Sequence, residues 1–199
     1  MSRRLFTFLV AAAAALLLVP AALALGVHVR VEGKTQTIFG AAEPSLDVKA
    51  NALDALESAS FAGEFYYHVT VGGFGPYVDQ IGRYPAGGSS GWVFKVNGVS
   101  PPVGAEAVTL KDGDRVLWYW ATFGPTGGPA TLWLRAGTKR WCYRVLSQDD
   151  TGKTKPARGA RLHVAGRSVL ARNGSACLGA HRGLVTATLA GAVRSNAIR

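Results

Sequence analysis

The stretch GWVFKVNG, Gly91 to Gly98, decides the fold once it is set beside KDGDRVLWYW, Lys111 to Trp120. Successive side chains of a strand point to opposite faces. Trp92, Phe94 and Val96 therefore share one face, and Val93, Lys95 and Asn97 share the other. Asn97-Gly98 is a hairpin turn signal, because both residue types tolerate a positive φ. Asp112-Gly113 makes a second turn, after which Val116, Trp118 and Trp120 face one way while Leu117 and Tyr119 face the other. Two such strands carry an aromatic face that needs another layer to bury it.

The layer lies upstream. In DVKANALDALESA, residues 47–59, the apolar positions Val48, Ala52, Ala55, Leu56 and Ala59 fall on one helical face, and Asp47 is placed to cap its start. GVHVRVE, Gly26 to Glu32, alternates apolar Val27, Val29 and Val31 with polar His28, Arg30 and Glu32. Gly33-Lys34 reads as a turn into a strand over 35–39, and 65–71 reads as a further strand broken by Gly72-Gly73-Phe74-Gly75-Pro76. The pattern predicts an α+β unit in which Trp92, Phe94 and Trp118 are buried against Leu53 and Leu56. Two aromatic faces cannot both lie under one helix. Tyr77, Asn97 and Tyr119 are therefore expected to be exposed, near the 72–77 and 97–104 loops, as contacts for a ligand. On this reading Tyr119→Ala weakens binding and leaves melting nearly unchanged.

Gly91 to Gly98, Gly104-Ala105, Leu110 to Asp114, Val116 and Trp118 together resemble the transcobalamin C-terminal-like domain of secreted bacterial proteins, mostly of unknown function. The likeness covers about residues 27–121. It implies a β-grasp-like sheet with one packed helix, in an exported module that takes a soluble ligand or a surface. It is similar to the β domain that closes over cobalamin in vertebrate transcobalamin and intrinsic factor, which leaves a corrinoid open as the ligand. Nothing in these residues forms the helical barrel that supplies the other half of a cobalamin site.

The ends of the chain differ in character. Arg3 and Arg4, an apolar run over 5–19 and the small residues Ala22 and Ala24 read as a secretory signal cleaved after Ala24, with a retained anchor as the alternative. The mature protein is then extracytoplasmic, secreted or envelope-associated, with no transmembrane span. The net charge of +10 is unevenly placed. Residues 25–124 hold ten Asp and Glu against seven Lys and Arg, whereas residues 125–199 hold thirteen Lys and Arg against Asp149 and Asp150 alone. This asymmetry, with Gly124-Pro125-Thr126-Gly127-Gly128-Pro129 at the change, predicts two domains, 25–123 and 130–199, joined by a linker over 124–129.

The second domain reads as all β, with short runs over 130–134, 140–146, 161–164, 168–171 and 184–189. Lys155 to Gly166, Asn173-Gly174 and Gly183 to Ala187 resemble the small immunoglobulin-like sandwiches appended to exported bacterial proteins. Cys142 and Cys177 are the one cysteine pair. Export favours a disulfide that would staple strands of this domain, and two free buried thiols are the alternative.

Little here points to catalysis. Asp150-Thr151-Gly152 occurs once in a polar loop, whereas a protease of that motif needs two carboxylates sharing a proton. Asp112-Gly113-Asp114 lacks the remaining ligands of a calcium loop. The histidines at 28, 68, 163 and 181 have no metal-ligand spacing, so neither metal nor cofactor is expected. The residues fit a non-catalytic binding module taking a small molecule at an aromatic sheet edge or loop. The alternative is an envelope protein whose basic domain holds anionic wall polymer or lipid headgroups. Export argues against nucleic acid.

Overall fold

A computed structural model describes residues 24–73, 75–125 and 127–199. The signal expected over 1–24 lies, but for its last residue, outside them. Among the described residues the chain is mostly β with one α-helix. Its strands are β1 (Leu25–Glu32), β2 (Thr37–Phe39), β3 (Ser45–Val48), β4 (Tyr67–Gly72), β5 (Gly75–Ile81), β6 (Tyr84–Pro85), β7 (Ser90–Val96) and β8 (Arg115–Thr122) in the first half. The second half contributes β9 (Thr131–Ala136), β10 (Cys142–Gln148), β11 (Thr154–Pro156), β12 (Arg161–Val164), β13 (Arg167–Leu170), β14 (Ser175–Cys177) and β15 (Thr186–Thr188).

In the first half β1 is central: β2 and β3 pair antiparallel along one edge, and β8 runs parallel to it on the other. β7 then pairs antiparallel with β8, placing Trp92 opposite Trp120, Phe94 opposite Trp118 and Val96 opposite Val116. The face read from the sequence is the face observed. Helix α1 (Ala52–Gly63) lies across it and buries Ala52, Ala55, Leu56 and Ala59 among Val29, Val31, Trp92 and Trp118. Phe94 and Leu53 are only partly buried there. The strands β4, β5 and β6 form a separate small sheet.

The start of the helix differs from expectation. Asp47 belongs to β3, and the cap is Asn51, whose side-chain oxygen accepts the backbone N–H of Leu53 and of Asp54, both at 3.0 Å. Asp54 returns the favour, accepting from the backbone of Ala50 and Asn51 at 3.0 and 3.1 Å. This reciprocal pair satisfies more orphan N–H groups than Asp47 could at the end of a strand.

In the second half β9, β11 and β14 gather on β10, and β12 pairs with β13 and β15. The two sheets enclose one cluster built from Leu132, Leu134 and Val145 on one side and Leu162, Val164 and Ala187 on the other. This is consistent with a β sandwich. Cys142 and Cys177, opposite each other on β10 and β14, are joined in a disulfide across a separation of 35 residues. Among the described residues no helix is long and apolar enough to cross a membrane.

The other face of the first sheet carries the functional argument. The β1/β8 and β7/β8 registers place Arg30, Glu32, Leu117, Tyr119, Val93 and Lys95 together on it. The second half of the chain covers this face. Val193 packs with Tyr119 and Ala121, with Val93 and Leu117 at the margin. Backbone bonds from Ser100 to Asp150 (2.8 Å) and from Ala197 to Ala41 (2.6 Å) tie the halves together. Asn97 and Gly98 form the expected turn at φ 52° and 85°. The positive φ favours glycine at 98, and a Cβ there would have to displace the Gln148 amide that reaches across the seam.

Candidate functional site at the seam

Charges buried at this seam form two clusters, one around Glu32 and one around Lys95. Glu32, 1 % exposed, accepts from Arg30 Nη1 at 3.3 Å, from Arg194 Nε at 2.9 Å and from the Thr37 hydroxyl on both oxygens. Burial pushes the Glu32 carboxyl up, against the downward pull of the two guanidiniums and Thr37. Lys95, 1 % exposed, donates to Thr131 Oγ1 (3.2 Å) and to the carbonyls of Gln148 (3.4 Å) and Asp149 (2.9 Å). It also lies 3.3 Å from Asp150 Oδ1. Desolvation lowers the Lys95 ammonium from its ordinary value, and Asp150 opposes that shift.

Beside these clusters a cleft of about 230 Å³ opens between the halves, lined by Arg30, Glu43, Asn97, Arg115, Trp133 and Gln148 among others. Arg115 reaches in from the start of β8 and grips Glu43 through Nε, at 3.0 Å, and Nη2. A guanidinium has five donors, so others remain for a ligand. Arg30 is 3 % exposed, and its Nε is buried without a hydrogen-bond acceptor among the described residues. Glu43 Oε1 is 3.2 Å away, close enough for ionic attraction but not aligned to accept that N–H. A buried guanidinium N–H without an acceptor costs stability, and in a cleft wall a ligand can satisfy it. Trp133 offers an apolar wall, and the Arg135 guanidinium lies 4.6 Å over its ring.

The sequence candidates fare unequally. Asn97 is exposed and lines the cleft, with its amide tied to Asp114 Oδ1 (2.8 Å) and to the Arg115 N–H (3.0 Å), so it positions Arg115 as well as bordering the site. Tyr77 is 55 % exposed as expected, but it stands on the β4–β5 hairpin opposite Thr70 and does not line the cleft. Tyr119 is a correction. It is 2 % exposed and lies in the seam core, with Lys95 Nζ 5.9 Å from its ring centre. The second half covers the face that a lone sheet would have left open, so Tyr119 contributes to packing and Tyr119→Ala is expected to lower the melting temperature.

Its titration gives a measurable sign. Desolvation, with Asp150 adding to it, pushes the Tyr119 hydroxyl up from 10.0 to about 12. The unfolded chain loses this proton from pH 10, whereas the folded chain holds it until near pH 12. Ionisation therefore favours unfolding across that window, and stability falls as pH rises. Two units correspond to about 2.7 kcal/mol. Denaturant titrations at pH 9 and pH 12 should show the parent losing roughly that much more than Tyr119→Phe. Equal losses would place the hydroxyl in solvent.

Arg30, Lys95 and Arg115 were missed as site residues. The sequence shows only that His28, Arg30 and Glu32 alternate on β1 as Lys95 does on β7, and a charged sheet face reads as solvated until its cover is known. The Asp150-Thr151-Gly152 segment is a turn. Asp149 beside it accepts from the Thr151 and Lys153 N–H groups and the Thr151 hydroxyl. That hydroxyl above all holds the Asp149 carboxyl below its ordinary range.

Residues 49–122 match a family model described as a domain of unknown function (DUF4430). The match runs from the start of α1 to the end of β8. It takes in Lys95, Asn97 and Arg115 and leaves out β1, which carries Arg30, and the whole second half. The chain matches no curated protein.

Proposed function

We propose that this protein is an exported, non-catalytic binding module whose ligand site is the seam cleft, and that the site takes a phosphate or carboxylate group. The Arg30 Nε–H in the wall of that cleft, attracted by Glu43 but without a hydrogen-bond acceptor among the described residues, supports this most strongly. Arg115, already oriented by Glu43 and Asn97, supplies further donors at the mouth, and planar guanidinium donors match both anions in geometry. Trp133 gives the remainder of the ligand a ring to stack on. The first half is read as a β-grasp-like, transcobalamin C-terminal-like domain, supported by the parallel β1/β8 pair under one helix. Corrinoids therefore belong in the first ligand panel beside simple phosphates and carboxylates.

Calorimetric titration of the full chain with organic phosphates and carboxylates, followed also by tryptophan emission, tests the reading. Arg115→Ala should weaken binding about ten- to a hundredfold, as loss of a hydrogen bond to a charged group does. Unchanged affinity in that variant would exclude the cleft as the site.

A further inference from the structure

The cleft continues onto an open sheet face. Beyond Gln148 and Trp133 the outward residues of β9 and β10 are Leu146, Arg135 and Arg144, with Leu146 opposite Trp133 and Arg144 directly opposite Arg135. Both arginines are exposed, and neither forms an ion pair with a carboxylate among the described residues. Like charges directly opposed across an antiparallel pair are destabilising. Here they sit in a half of the chain with only two acidic residues after position 124, Asp149 and Asp150. Asp150 faces Lys95 at the seam, and Asp149 is held in its own turn.

The size of the cleft gives a second observation. At about 230 Å³ it is smaller than the roughly 300–1,000 Å³ of pockets that enclose a whole drug-sized ligand. It therefore has room for a small anion or for one unit of a longer molecule, and not for the whole of a large one. From Gln148 to Arg144 the strand advances about 14 Å at 3.4 Å per residue, so the outer arginines lie several units away along the same face.

We infer that the partner is a flexible polymer with repeating negative charge, which places one charged unit in the cleft on Arg30 and Arg115 and runs along β9 and β10 over Trp133 to Arg135 and Arg144. This rests on the cleft being an anion site. It extends that site to a polymer and adds two arginines that the small-ligand reading does not need. Phosphodiester and uronate chains share the chemistry, since arginine forks accept both groups.

Labelled poly(glycerol phosphate) and polygalacturonate, with neutral dextran as control, would be titrated against the full-length parent and against Arg135→Glu/Arg144→Glu by fluorescence anisotropy at fixed salt. The milder Arg135→Gln/Arg144→Gln pair is carried in case charge reversal disturbs folding, with thermal melts as the check. Expected are binding of one or both anionic chains, none of dextran, and at least about tenfold weaker chain binding in the double variants. The tighter of the two chains identifies the charged group. Binding of inorganic phosphate at Arg30 should persist in both variants. If phosphate binds but the chains bind parent and variants alike, the inference is wrong and the cleft site stands. If phosphate does not bind at all, both fail. Tighter binding to phosphatidylglycerol vesicles or to duplex DNA than to either polymer would also overturn it.

Discussion

Trp118→Ala is expected to destabilise the protein by about 3–5 kcal/mol, the range for removing a large aromatic from a packed core. Trp118 is almost wholly buried, stacks on Phe94 with ring centres 5.0 Å apart, and donates its indole N–H to the Ala52 carbonyl at 3.2 Å. That bond falls on the first turn of α1, so the substitution removes packing and also a tie between sheet and helix. Domains of this size are stable by roughly 5–15 kcal/mol, so the loss is a large fraction of the whole. Denaturant unfolding followed by circular dichroism measures it. A cost below about 1 kcal/mol would show that the helix does not depend on this face.

Glu32→Ala should have an effect of the same order for a different reason. Removing one partner from a buried ionic cluster leaves the other charges desolvated, at about 3–5 kcal/mol. Here Arg194 would keep only its bond to the Gly33 carbonyl, at 2.6 Å, and Arg30 its bond to the Arg194 carbonyl and the attraction of Glu43. A double variant, Glu32→Leu with Arg30→Met, should cost less than the sum of its single changes, because it removes charge from both sides. Strict additivity would mean that the two charges do not interact. Since Arg194 neighbours Val193, opening the seam should also bring the Tyr119 hydroxyl back toward its ordinary titration.

Much of the first half was legible because local rules and tertiary packing agree there. Period-2 alternation in β7 and β8 placed Trp92, Trp118 and Val116 on the helix side, and Asn97-Gly98 formed the expected turn. The short strands of the second half follow from the same kind of signal, whereas the pairing of Cys142 with Cys177 follows from their being the one cysteine pair of a chain read as exported. The helix start was misread because Asp47 and Asn51 are both capping residues, and only the reciprocal partner Asp54 separates them. The seam was not legible, for a physical reason. Alternation reports which residues share a face but not what lies against it. Tyr119 looked like a ring left over from the core, yet a layer supplied by Val193, more than seventy residues further along, covers it. The candidate site suffered likewise: Asn97 lies at the cleft, while Arg30 and Lys95 reach it through strand register and burial that no short motif announces.

On this account the Arg30 Nε–H, which has no hydrogen-bond acceptor among the described residues, receives an anion at the seam. The direct measurement is the Nε–Hε resonance of Arg30 in a nitrogen-15 spectrum of the full chain, assigned by its loss in Arg30→Lys and followed while inorganic phosphate is added. The expected result is a saturable shift of this resonance together with that of Arg115, while the resonance of the exposed Arg172, which does not line the cleft, moves only with ionic strength. An Arg30 resonance that stays in place while phosphate saturates other sites would contradict the claim.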